Sequence, residues 1–181
     1  MKLTEKTLSR EYRYRGKIIN LRVDRAQLEN GRVVSREVVE HPGGVCIGAL
    51  TEQGELLFVR QFRYPYGKVV RELPAGKLEP GEDPLEAGKR ELKEETGAIG
   101  EDYQFLGGLY PSPGYTDEII SLYACRVKAS GESHPDDDEF LEVDRVPLGR
   151  AVELVMNNEL PDSKTQALVL KIAYLVENRK F

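Results

Sequence analysis

The apolar positions of this 181-residue chain change their period several times along its length. Residues 11–40 alternate in part between polar and apolar. The stretch "RVDRAQLENGRVVSREVVEH" carries Asn30-Gly31 at its centre, a dipeptide favoured in type I′ hairpin turns. An antiparallel ribbon is expected there. The unbroken apolar run "GGVCIGAL" (43–50) predicts a buried strand, "TEQG" a turn, and "GELLFVRQFRY" (54–64) the next strand. "YQFLGGLY" (103–110) and "EIISLYACRV" (118–127) read as two more strands. After them an acidic loop with Gly and Pro, "KASGESHPDDDEFLEV", enters a short strand.

A helical period appears in three places. Ala151, Val152, Leu154 and Val155 mark the buried face of a helix over 148–158. Leu168, Ile172 and Leu175 form the stripe of a final helix that begins with the polar cap in "DSKTQ". The third helix spans 84–96. Asp83 can cap it, Pro84 suits its first position, Glu86 completes a capping box and Gly97 suits the residue past its end. At 3.6 residues per turn Leu85, Leu92 and Thr96 share its apolar side, with Gly88 at the edge for close approach to a sheet. Strands and helices without a strict βαβ rhythm predict an α/β (α+β) fold, an α/β/α sandwich with a mixed sheet. The ribbon, residues 1–40, is expected to form a subdomain beside a main domain over 41–181.

Composition narrows the function classes. With 40% hydrophobic and 31% charged residues the chain reads as globular, with material for a core. A formal net charge of -5 and the lack of a basic tract argue against a nucleic-acid partner. An acidic protein that handles a polyanion needs cations to mediate the contact. The N-terminal segment lacks the apolar core of a secretory signal, and no apolar run reaches the roughly 18–20 residues of a membrane helix, so no membrane partner and a cytoplasmic location are expected. Cys46 and Cys125 each lie in an apolar run without a Cys or His at ligand spacing, and read as buried free thiols. His41 and His134 stand isolated and are expected at the surface or in loops.

The stretch "GKLEPGEDPLEAGKRELKEETG" (76–97) crowds its glutamates although like charges one helical turn apart cost about 0.2–0.5 kcal/mol per pair. Glu91 and Glu95 fall one turn apart, and Glu94 stands roughly 80–100° further round. All three are expected off the apolar stripe and next to one another. Convergent carboxylates suit a hard divalent cation such as Mg²⁺, which takes oxygen ligands and a substrate phosphate together. A solvated face laced with Lys89 and Lys93 is the alternative on these residues alone.

A resemblance to a known motif favours the cation. Gly76 is followed after five residues by Glu82, and after seven more by Arg90-Glu91-Leu92-Lys93-Glu94-Glu95-Thr96-Gly97. This resembles the Nudix box, with a mild departure at Ala98, where a bulky residue is usual. The resemblance implies the Nudix sandwich with the box as loop, helix and loop. It also implies hydrolysis of a nucleoside diphosphate linked to another moiety, with Mg²⁺ or Mn²⁺. Glu91, Glu94 and Glu95 correspond to the family's metal-binding glutamates, Ala75 to a metal-binding backbone carbonyl, Arg90 to the residue that orients the glutamates, and Glu82 to a structural anchor.

Outside the box, "RELPAGKLEPGE" and "SPGYTDE", with Pro113 fifteen residues after Ala98, resemble the ADP-ribose pyrophosphatase subgroup. That resemblance implies a small-molecule substrate, ADP-ribose or another nucleoside diphosphate sugar, cleaved to AMP and ribose 5-phosphate in the first case. "DDDEF" (136–140) matches an acidic loop that supplies a general base, Glu139 or Asp137, with Glu139 favoured. Glu118 is expected to hold water at the metal or the ribose. Arg63 can clamp a phosphate, Arg36 matches a position that reaches the ligand through the ribbon, and Glu72 and Pro113 complete the substrate set. Tyr64 and Tyr66 either stack on adenine or pack. The ribbon further suggests a homodimer.

Overall fold

The computed structural model describes residues 2–134 and 140–181. The chain divides into two compact units. The first comprises Met1–Gly43 and Tyr110–Ile119. Its strands β1 (Lys6–Arg15), β2 (Asn20–Gln27) and β3 (Val33–Glu40) form an antiparallel sheet in the order β1-β2-β3. The ribbon thus gains a third strand, β1, every residue of which is exposed, so that Leu8, Tyr12 and Tyr14 form no buried face. The turn differs too. Leu28 N–H donates to Arg32 O at 2.9 Å and Gly31 N–H to Leu28 O at 2.9 Å, and only Gly31 takes a positive φ, 82°. This is a three-residue loop in which glycine forms the bulge, not the two-residue type I′ turn, which needs positive φ at both central residues. Residues 110–119 run beside the end of β3: Val39 N–H donates to Tyr115 O at 2.7 Å and Asp117 N–H to Val39 O at 3.1 Å.

The second unit comprises Gly44–Leu109 and Ile120–Phe181. It holds β4 (Gly44–Leu50), β5 (Glu55–Arg63), β6 (Lys68–Glu72), β7 (Ala75–Lys77), α1 (Pro84–Thr96), β8 (Ala98–Leu109), β9 (Ile120–Ser130), β10 (Glu142–Pro147), α2 (Leu148–Met156) and α3 (Ser163–Glu177). The sheet order is β10-β5-β4-β9-β8, with β6 on β5 and β7 on β4. β4 and β9 pair in parallel and the other pairs are antiparallel, so the sheet is mixed as the pattern implies.

β4 is the centre of the core. All seven of its residues are buried, and successive side chains point to opposite faces. Cys46 and Leu50 join Phe58, Leu122, Leu154, Leu168 and Ile172 on the side of α2 and α3. Val45, Ile47 and Ala49 join Leu57, Ala87, Leu92 and Cys125 on the side of α1. Helices therefore cover both faces of one sheet. Both cysteines are free and buried, and burial pushes their thiols up, that of Cys125 to about 12. β6 and β7 were not anticipated, being five and three residues long around Pro74. Val169 and Thr165 are buried on α3 alongside Leu168 and Ile172, whereas Leu175 is half-buried.

Candidate active site

The bounds of α1 agree with its sequence signals. Asp83 Oδ1 accepts from the backbone N–H of Leu85 (2.9 Å) and Glu86 (3.2 Å). Gly97 ends the helix at φ 69°, its N–H donating to Lys93 O at 2.8 Å. The buried face is another matter. It consists of Ala87, Gly88, Glu91, Leu92 and Glu95, while Leu85 and Thr96 are half-buried. Glu91 and Glu95 therefore do not stand off the packed face, as the helical wheel suggested; they are 9% and 2% exposed. The reason is what that face meets. It packs on β7, whose short strand offers polar backbone, and Ala75 N–H donates to Glu95 Oε2 at 3.1 Å.

Gly76 completes this arrangement. A Cβ added there would stand 1.9 Å from Glu91 Oε1 and 2.1 Å from its carboxyl carbon. The first glycine of the box thus opens the space in which the Glu91 carboxylate lies against β7.

Arg90 ties the acidic residues together. Its Nε and Nη2 reach Glu82 Oε1 (3.0 Å) and Oε2 (3.2 Å), and its Nη1 lies 2.9 Å from both Glu91 Oε1 and Glu94 Oε2. Glu82 also accepts from Glu79 N–H at 2.9 Å. The hydrogen bonds of Arg90, followed by that backbone N–H, hold the Glu82 carboxyl below its ordinary value, and the Glu82 carboxylate in turn raises the Arg90 guanidinium. Lys89 pairs instead with Glu86 at 2.7 Å.

Among the described residues no three His, Cys, Asp or Glu side chains stand as a ready cluster for a metal ion. Glu91 and Glu94 are bridged by a guanidinium, and Glu95 faces a backbone N–H. The donor chemistry nevertheless fits a hard divalent cation, since three carboxylates and the Ala75 carbonyl would offer it oxygen atoms from two adjacent elements. The cradle at Gly76, which a side chain would fill, keeps one of those carboxylates at the strand.

A second charged group lies in the same unit. Arg63 Nε and Nη2 grip Glu72 Oε1 (2.6 Å) and Oε2 (2.7 Å) in a bidentate pair. Lys164 Nζ approaches the same Glu72 Oε2 at 2.5 Å and Asp162 Oδ1 at 3.0 Å. Burial pushes the Glu72 carboxyl up, but Arg63 and Lys164 outweigh it and hold it below its ordinary value. Burial likewise opposes the charge of Lys164, and Asp162 and Glu72 outweigh that. Sequence reasoning passed over Lys164. One signal was available: a lysine in the first turn of a helix opposes the macrodipole and so asks for a carboxylate partner.

Tyr64 and Tyr66 are highly exposed on a 3₁₀ turn (Tyr64–Tyr66) directly after Arg63. Arg36, Pro113 and Glu118 belong to the first unit. Arg36 is engaged there by Glu5, at 3.0 and 2.7 Å. Pro113 is exposed. Glu118 Oε1 lies 3.5 Å from His41 Nδ1, which accepts from Gly43 N–H at 3.1 Å. His41 is thus a half-buried loop residue rather than a surface one, because its ring and backbone serve the turn after β3, while His134 is exposed. Glu139 and Asp137 lie outside the described residues.

A box of this spacing, on a loop and helix docked against a mixed sheet with helices on both faces, defines an α/β/α sandwich with a Nudix-type site. Residues 40–167 match the NUDIX domain family, and residues 5–39 match the nucleoside diphosphate sugar hydrolase N-terminal domain family. The chain belongs to the Nudix family. It is 41% identical over 165 residues to a protein of Bacillus subtilis named ADP-ribose pyrophosphatase, covering 90% of this chain and 89% of that one. It is 39% identical over 173 residues to a protein of Bacillus methanolicus named methanol dehydrogenase activator, covering 94% and 92%. A protein of Mycobacterium tuberculosis named ADP-ribose pyrophosphatase is 35% identical over 170 residues, covering 92% and 82%. No helix among the described residues is long and apolar enough to cross a membrane.

Proposed function

We propose that this protein hydrolyses the diphosphate of ADP-ribose, giving AMP and ribose 5-phosphate, with Mg²⁺ as its cation and Mn²⁺ as a substitute. The observation that carries the reading is the Arg90-centred group of Glu82, Glu91 and Glu94 beside Glu95 and β7. The two relatives named ADP-ribose pyrophosphatase, matched over most of their length, support the substrate.

A bound divalent cation supplies Lewis-acid polarisation of the diphosphate and lowers the pKa of water. Glu91, Glu94, Glu95 and the Ala75 carbonyl hold it in this reading. Arg90 fixes the rotamers of Glu91 and Glu94 from behind, anchored in turn by Glu82. Arg63 gives Nε and Nη2 to Glu72 and turns Nη1 to a substrate phosphate. Tyr64 stacks on the base or packs beside it. Glu118, Arg36 and Pro113 keep in this reading the substrate roles that the family resemblance assigns to them. Glu139 or Asp137 accepts the proton of the attacking water.

The reading includes a homodimer built through the N-terminal sheet, and a cytoplasmic location, where two buried free thiols persist without oxidation. Its test is a panel of kcat/KM values with Mg²⁺ for ADP-ribose, ADP-glucose, GDP-mannose and dinucleoside polyphosphates. A lead of about tenfold or more for ADP-ribose is expected. A lead for another sugar keeps the chemistry and replaces the substrate, and no hydrolysis of any of them ends the reading.

A further inference from the structure

The segment from Glu72 to Gly76 is fastened at every residue, and two of its five anchors come from the distant first turn of α3. Glu72 binds Lys164 Nζ at 2.5 Å, and Leu73 N–H donates to the fully buried Thr165 Oγ1 at 2.9 Å. Pro74 O accepts from Ile47 N–H of β4 at 2.8 Å. Ala75 N–H donates to Glu95, and Gly76 pairs with Val45 of β4 beneath Glu91. The first turn of α3 is itself rigid: Asp162 caps it by accepting from Thr165 N–H at 3.0 Å and holds Lys164 Nζ at 3.0 Å. Further along, α3 packs so closely on β4 that a Cβ at Gly48 would stand 2.1 Å from Ile172 Cδ1. A cation that is nearly buried, as the Lys164 side chain is at 11% exposure, is costly unless its partners repay the desolvation. Lys164 plays no part in the chemistry described above.

We propose that Lys164 is a positioning residue for the cation site. By neutralising Glu72 from the buried side, it locks the β6 end of the Glu72–Gly76 run, and with it the Ala75 carbonyl, in register with Glu91 and Glu95 on α1. Arg63 holds the same carboxylate with a side chain 37% exposed, against 11% for Lys164, so Lys164 is the more deeply buried of the two cationic partners. This inference rests on the reading that Ala75, Glu91 and Glu95 hold a divalent cation.

The test is Mn²⁺ affinity of the full chain without substrate, by titration calorimetry, for wild type, Glu95→Gln, Lys164→Met and Glu72→Gln/Lys164→Met. Circular dichroism checks the folding of each. Lys164→Met is expected to weaken Mn²⁺ binding by about tenfold or more, the lower end of the roughly 10–100-fold usual for residues behind a ligand shell. In Lys164→Met the buried Glu72 carboxylate is left to Arg63 alone and drawn toward it; removing that charge in the double variant is expected to bring affinity back to within about threefold of wild type. A merely structural lysine would not give that recovery. Wild-type affinity in Lys164→Met, or a double variant no better than the single one, overturns the inference while Glu95→Gln still loses binding. Wild type without Mn²⁺ binding overturns the cation reading itself. Lys164→Gln, which keeps a donor but no charge, carries the same expectation should the methionine variant not fold.

Discussion

Gly76 and Glu91 share a space that holds only one side chain, since a Cβ at Gly76 would stand 1.9 Å from Glu91 Oε1. The obstructing group is the end of a flexible side chain, so the fold can yield where the site cannot. Gly76→Ala is expected to cost little stability, about 1 kcal/mol or less, and to lower kcat by at least about tenfold as the carboxylate is displaced. Thermal melts and steady-state rates on the same preparation check both halves.

Arg90 satisfies three carboxylates with one guanidinium, and a lysine cannot reproduce a planar fork of that reach. Arg90→Lys is expected to lower activity by roughly 10–100-fold, as is usual when a group orienting a ligand shell is lost. The loss should appear chiefly in kcat and in the Mg²⁺ concentration needed for half activation. Equal wild-type values for both would remove Arg90 from the site.

Glu72 links stability to pH. Its folded-state carboxyl is held below the ordinary value, so it favours the native state above the unfolded-state pKa of about 4.3 and loses that contribution as pH falls through the lower, folded value. Glu72→Gln is expected to cost on the order of 2 kcal/mol at pH 7. That is less than the roughly 3–5 kcal/mol of a fully buried pair, since Arg63 is more than a third exposed. Tm measured from pH 3 to 7 should show the gap to wild type narrow below about pH 4.3. A constant gap across that range would contradict the ion-pair account.

The elements legible in the sequence were those with local signals. Cap, proline and terminal glycine placed α1 at 84–96, and the apolar run placed β4. What failed was whatever depends on a distant partner. The wheel placed Leu92 inward, as found, but set Glu91 and Glu95 off the packed face, because hydropathy cannot foresee that the helix meets a strand whose Ala75 N–H donates to Glu95. β1 and β7 are strands only by virtue of their neighbours. The Nudix spacing picks out Glu91, Glu94 and Glu95, which the structure holds at Arg90 and β7, yet Lys164 meets Glu72 across 92 residues, a pairing no local pattern records.

The central claim is that the buried acidic face of α1 is the seat of catalysis, and Glu95 tests it most directly. It is 2% exposed and bound to the strand that carries Ala75. ADP-ribose hydrolysis by Glu95→Gln and wild type should be measured side by side at saturating Mg²⁺, with matched Tm values. The account predicts a fall in kcat of about a hundredfold or more in the variant. Turnover within threefold of wild type, in a variant that folds, would contradict it.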